Sequence, residues 1–365
     1  MDRYPCLVIN HEALRFNAAK MNSWCEEAGI MYCGVIKGAN GSASLAEDLV
    51  AGGAKMLGSS RLCQLRRVKE AGISVPTLLI RVPMMSELSE VVELADYSLQ
   101  SEMDTIEALN EAAYEAGVKH KVILMADLGD LREGWINHEE LIESAVKVEK
   151  VMDCLELAGI GTNRGCYGSV VPDRRNMKQL AELAETIEDR IGRKLEIVSG
   201  GASSSLKPLM EGEMPSKINM LRIGAVTLVG PLEDVRIYYD VTEIDELRGD
   251  AFTLKAQIVE KKLKPTHPIG TLGVDAFGKA RVYEDRGERM RVLLAVGRQD
   301  YGDIDDIVPL LEGAQVIGAS GDHTIVDIED CTEELKVGDV MEFHLKYSAI
   351  MRLTASEDVK ILNIG

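Results

Sequence analysis

No stretch of this chain is apolar for the ~18–20 residues that a helix needs to cross a bilayer, so a helical membrane protein is excluded. The opening residues, Met1-Asp2-Arg3-Tyr4-Pro5, have neither the charged start nor the long apolar core of a secretion signal, and a cytoplasmic protein is expected. Basic charge is scarce: 41 Lys and Arg face 60 Asp and Glu, a formal net charge of -19. Such a surface has no basic patch to neutralise phosphates, which argues against nucleic acid as a partner. It favours solubility, with a weak pull on cationic small molecules. The seven cysteines are odd in number, and no two stand in C-x-x-C spacing. Neither a disulfide framework nor a zinc site is indicated; free thiols are expected, with Cys6, Cys33 and Cys154 as core filler. Internal repeats, low-complexity tracts and a disordered linker are missing too.

What is present is a 365-residue chain, 46% hydrophobic and 28% charged, long enough for two domains with ample core. Between residues 31 and 226, β-prone runs alternate with stretches of helical periodicity such as Glu102–Ala116 and Lys178–Ile191. The expected strands are Met31–Lys37, Lys55–Ser59, Thr77–Val82, Tyr97–Gln100, Lys121–Asp127, Cys154–Ile160, Glu196–Ser199 and Met220–Gly224. Eight strand–helix units predict an α/β fold, a (β/α)8 TIM-like barrel. A doubly wound sheet is second choice, because no G-x-G-x-x-G turn follows the first strand. After residue 236 strand-like runs, beginning with Arg236-Ile237-Tyr238-Tyr239, lie between Gly, Asp and Pro turns. They predict an all-β second domain over 237–365, with the barrel in 1–236.

Lys37 ends an apolar run, Tyr32-Cys33-Gly34-Val35-Ile36, and is followed by Gly38-Ala39-Asn40-Gly41. A lysine leaving a buried strand loses its proton more easily than one in water, and the free amine can condense with an aldehyde. Other segments fall at later strand ends: Asp127 and Arg132 in a D-x-G-x-x-R-x-G run after the fifth, Asn163 after the sixth, Gly201 with Ser203-Ser204 after the seventh, and Arg222 before Gly224-Ala225 at the eighth. Barrel active sites lie at the carboxyl ends of the strands, with phosphate often held after the seventh and eighth. The motifs therefore converge on one face.

In this order and spacing, the segments resemble the alanine racemase family of pyridoxal 5'-phosphate (PLP) enzymes. The wording of Ile123–Gly134 and Gly159-Ile160-Gly161-Thr162-Asn163 looks most like the ornithine racemase branch. The resemblance implies PLP as cofactor, a small amino acid as substrate with ornithine preferred, and exchange of the α-proton between two acid–base groups on opposite faces. Lys37 would be one group and the PLP anchor. Arg222 would face the pyridine nitrogen. Arg132 would lie near the phenolic oxygen and the substrate carboxylate. Asn163 would lie against the ring, where alanine racemases carry histidine. Gly201, Ser203, Ser204, Gly224 and Ala225 would surround the phosphate. The family's second base, a tyrosine from the partner subunit, has no counterpart in Lys264–Gly270. His323 with Asp322 is the expected substitute, followed by His267 and Tyr301; Tyr347, which matches a tyrosine near the family's C-terminus, is read as structural. Residues 1–10 would pair with the β domain, and two chains would form a head-to-tail homodimer. Two alternatives stay open: a PLP carrier without turnover, and a metal-dependent PLP lyase of D-hydroxy amino acids.

Overall fold

A computed structural model of the protein describes residues 3–275, 277–280 and 282–365. The chain forms two compact units, one spanning Ala13–Arg248, the other joining the segment up to Glu12 with Gly249–Gly365.

The first strand, β1 (Cys6–Asn10), belongs to the second unit. The barrel is built from β2 (Met31–Val35), β3 (Met56–Ser59), β4 (Thr77–Leu79), β5 (Tyr97–Gln100), β6 (His120–Ala126), β7 (Leu155–Thr162), β8 (Ile197–Ser199) and β9 (Met220–Ile223). All neighbours pair in parallel, and β9 closes the ring on β2. These are the eight expected strands in the expected order. Their runs are apolar because both sheet faces are covered. Cys33, Met56, Leu99, Ile123 and Met220 pack inside the ring, while Leu124, Leu157 and Val198 pack outward against helices such as Arg174–Ile191. Gly159 on β7 marks the tightest contact: an added Cβ would lie 1.7 Å from Ile197 O of β8.

The boundary falls after Arg248 rather than after residue 236. Arg236–Tyr239, read as a strand, is the end of a helix, Glu233–Tyr239. The aromatic and branched residues suggest β structure locally. Val235 and Tyr239, however, stand four apart, so one helical face turns inward, while Ile237 and Tyr238 are exposed.

In the second unit β10 (Phe252–Pro265) is the long central strand. It pairs antiparallel with β1, with β11 (Glu288–Leu294) and with β15 (Val340–Leu345). β12 (Ile307–Pro309), β13 (Gln315–Ala319) and β14 (Thr324–Asp327) complete that path. β16 (Lys360–Ile364) lies parallel to β1. The unit is β-rich rather than all-β, since it includes the short helices Arg298–Tyr301 and Tyr347–Leu353. All seven cysteines are free thiols; Cys6 and Cys33 are buried, and Cys154 is half-buried. Among the described residues no helix is long and apolar enough to cross a membrane.

Candidate active site

Each barrel strand near the candidate site stops short and hands the chain to a tight turn. β2 ends at Val35, and Lys37 opens a 3-10 turn, Lys37–Ala39. The lysine is half-buried and, among the described residues, its Nζ has no hydrogen-bond or ion-pair partner. Burial holds its ammonium below the ordinary 10.5; Cys166 opposes this, the guanidiniums of Arg132 and Arg222 reinforce it, and Glu133 opposes it least. An amine in that field gives up its proton more readily than one in water.

After β6 the segment 127–135 folds back onto its own strand. Asp127 Oδ1 accepts from Gly129 N at 2.8 Å and Leu131 N at 3.1 Å. Trp135 N donates to Met125 O at 2.9 Å. Gly134 sits at φ 116, and a Cβ there would lie 2.6 Å from Met125 O, so only glycine closes this turn. The loop presents two charges side by side: Arg132 donates through Nε and Nη2 to the Glu133 carboxylate, the latter at 2.5 Å. With its amide turned to suit both neighbours, Asn163 Oδ1 accepts from Arg132 Nη2 and from Arg164 N, each at 3.2 Å.

Asp130 joins this loop to the next. It is 1% exposed, and its two oxygens accept from Gly165 N at 2.8 Å and Tyr167 N at 3.1 Å. Cys166 is carried between those anchored amides, exposed, within electrostatic reach of Lys37, Arg132 and Arg222.

Arg222 is buried on β9 and donates to Ser199 Oγ and to Thr162 O, the second at 3.0 Å. Burial lowers its affinity for the proton, and Cys33 and Glu133 counteract this. Gly201, at φ 116, accepts from Arg222 N at 2.9 Å. The 3-10 turn Ser203–Ser205 follows. Ser204 Oγ donates to Arg164 O at 2.8 Å and Ser205 Oγ to Gly200 O at 2.7 Å. Among the described residues, the Ser203 hydroxyl alone of the three has no protein partner. Gly224 packs where a Cβ would come 2.9 Å from Val35 Cβ, and it opens the turn into Ala225–Val229. Because β9 pairs with both β8 and β2, the strand ends bearing Ser203, Gly224 and Lys37 are neighbours. An unpaired amine, two guanidiniums, an unengaged hydroxyl and bulk-free backbone turns suit an aldehyde that is also a phosphate ester.

The remaining expected residues lie in the second unit. Asp322 and His323 are exposed, and among the described residues no hydrogen bond joins carboxylate to imidazole. His323 O accepts from Ser320 N at 2.8 Å. Tyr301 is fully buried, bonded to Thr324 Oγ1 at 2.7 Å, and burial pushes its phenol up to about 12, which removes it as a proton carrier near neutrality. His267 Nδ1 lies 2.8 Å from Pro268 O. That oxygen only accepts, so Nδ1 carries the hydrogen of this contact. The sequence assigns no role to Asp130, Glu133 or Cys166, although the first two stand in the 127–134 motif and the third lies three residues beyond Asn163.

The profile of the alanine racemase N-terminal domain matches residues 9–230. The chain belongs to the alanine racemase family. Members of this fold-type III family are PLP-dependent amino acid racemases. The chain is 38% identical over 357 residues to an ornithine racemase of Acetoanaerobium sticklandii, covering 98% of this chain and 99% of that one. Its identity to a lysine racemase of Thermotoga maritima is also 38%, over 363 residues and 98% of each chain. Among solved structures, an alanine racemase from Streptomyces lavendulae superposes with a TM-score of 0.78 over 100% of this chain and 98% of that one; at 18% identity the likeness is one of fold.

Proposed function

We propose that this alanine racemase family protein interconverts the L and D forms of amino acids that carry a terminal amine, ornithine first. The observation that carries the reading is the partnerless amine of Lys37, half-buried within electrostatic reach of Arg132 and Arg222, with its proton loosened first by burial. The relatives named ornithine racemase and lysine racemase support the substrate class.

In this reading PLP, when bound, supplies the electron sink that stabilises charge at the substrate's Cα. Lys37 would anchor the cofactor through its amine and, as a free amine, would take or return the α-proton on its own face. Arg222 would hold the ring of the cofactor, where a buried cation would disfavour a proton on the pyridine nitrogen. Arg132, bonded by Asn163, would grip the α-carboxylate, and Asn163 would line the cofactor's place. Gly201, Gly224 and Ala225 provide the close-fitting backbone of the phosphate turn. Ser203 gives the hydroxyl bond, since Ser204 already donates to Arg164 O.

The second acid–base group is assigned to the β-rich unit of a second copy, His323 with Asp322 nearby and His267 next. A head-to-tail homodimer would deliver it. Ile269, Val274 and Val282 are 92%, 68% and 101% exposed, an apolar segment of the kind that partner chains cover. An active protein that stays monomeric in light scattering at assay concentration would refute the dimer. The deciding assay is chiral product analysis with alanine, serine, lysine, arginine and ornithine. Ornithine or lysine should lead; inversion of alanine fastest would overturn the substrate class. No inversion of any, with PLP bound, would favour the carrier reading, and cleavage of a D-hydroxy amino acid the lyase.

A further inference from the structure

Glu133 and Arg132 hold each other by one edge and leave capacity on both side chains. Its carboxylate occupies only the Nε–Nη2 edge of the guanidinium. Nη2 also donates to Asn163 Oδ1, but among the described residues Nη1 has no partner, so the hydrogens of Nη1 stay open to an incoming carboxylate. A carboxylate offers about four acceptor positions, and Arg132 fills two of those on Glu133. The Glu133 side chain is 16% exposed against 39% for Arg132, so its remaining acceptor capacity lies in a partly dry setting where charge is weakly screened. The pair thus shows a cationic edge beside an anionic one.

The α-carboxylate takes the first, and in the reading above the α-amine is consumed at the cofactor. The only cation left on the substrate is in its side chain. We propose that Glu133 is the specificity-determining residue of this site, receiving the terminal ammonium of a basic amino acid while its grip on Arg132 presents Nη1 to the α-carboxylate. This inference rests on the racemase reading and names its selective residue.

The test is a cycle on PLP-loaded protein, read by calorimetric binding and by initial inversion rates. Wild type and Glu133→Gln are each compared with ornithine and with norvaline, which has the same length without the amine. The wild type should favour ornithine, and Glu133→Gln should shrink the ornithine-to-norvaline ratio at least tenfold. Glu133→Asp, which keeps the charge, should retain most of the preference and serves if the glutamine variant misfolds. A ratio unchanged in Glu133→Gln, with both ligands weakened alike or neither affected, would overturn the proposal and leave Glu133 as a support for Arg132. If the wild type inverts no basic amino acid, the racemase reading itself has failed, an outcome separate from the variant's ratio.

Discussion

Asp130→Asn is the sharpest probe of how the site is held together. The aspartate uses two separate oxygens for two separate amides, Gly165 N at 2.8 Å and Tyr167 N at 3.1 Å. Asparagine has the same shape but one oxygen. Whichever way it is turned, one amide keeps its acceptor and the other faces an NH2 group. A hydrogen bond to a charged acceptor is worth about 1.5–3 kcal/mol, and a stranded buried donor costs about 1–3 kcal/mol. Opening of the 163–168 loop should therefore become easier by about 2–3 kcal/mol, roughly 30- to 150-fold in equilibrium. Native-state hydrogen exchange reads this at the Gly165 and Tyr167 amides, one of which should speed up by that factor. Asn163 rides on the same loop and bonds Arg132, so weaker PLP retention should follow. Unchanged exchange at both amides would refute the view that Asp130 is the clasp between the two loops.

Lys37→Ala should abolish inversion with the fold intact, and borohydride reduction of the loaded wild type should fix PLP on Lys37; peptide mapping that finds it on another lysine removes the anchor. His120, buried and neutral, has its imidazole pushed down to about 4 by burial from an ordinary 6.5, with Asp96 opposing. Its contribution is present above pH 6.5 and is lost as pH falls toward 4, about 3 kcal/mol in all; denaturant midpoints should show His120→Gln flattening that acid limb. His323→Asn should cost about 10²-fold in rate and slow solvent exchange of the α-proton in one enantiomer more than the other. Equal exchange in both, at normal rates, would pass the role to His267.

The barrel was legible because strands buried on both faces read as mostly apolar runs, and because most of them end within a few residues of a glycine, asparagine or serine that breaks the pattern. Arg236–Tyr239 was misread since its local propensity is β, while the i, i+4 spacing of Val235 and Tyr239 decides for helix. The residues of the mouth were visible as motifs. Their partners were not: Asp130 and Glu133 are two acids among 60, and nothing in composition tells a buried clasp from a solvated loop. Ser203 and Ser204 are equivalent in sequence and differ only because Arg164 O stands beside one hydroxyl. The second base stays the least legible, because the chemistry proposed for it lies on another copy of the chain.

β1 sits between β10 and β16, with Leu7 opposite Leu254 on one side and Ile361 on the other. On the ribosome that arrangement imposes a long wait. The strand Cys6-Leu7-Val8-Ile9 is made before any of the barrel, yet its first hydrogen-bonding partner does not emerge until Phe252 and its second not until Lys360. Throughout that interval a short sticky β segment trails from a nascent chain whose barrel can already close. An unpaired β edge of this kind is a template for mispairing with other chains until its partners are made. Fusions or slow codons that delay the last hundred residues should therefore hurt yield more than equal delays inside the barrel.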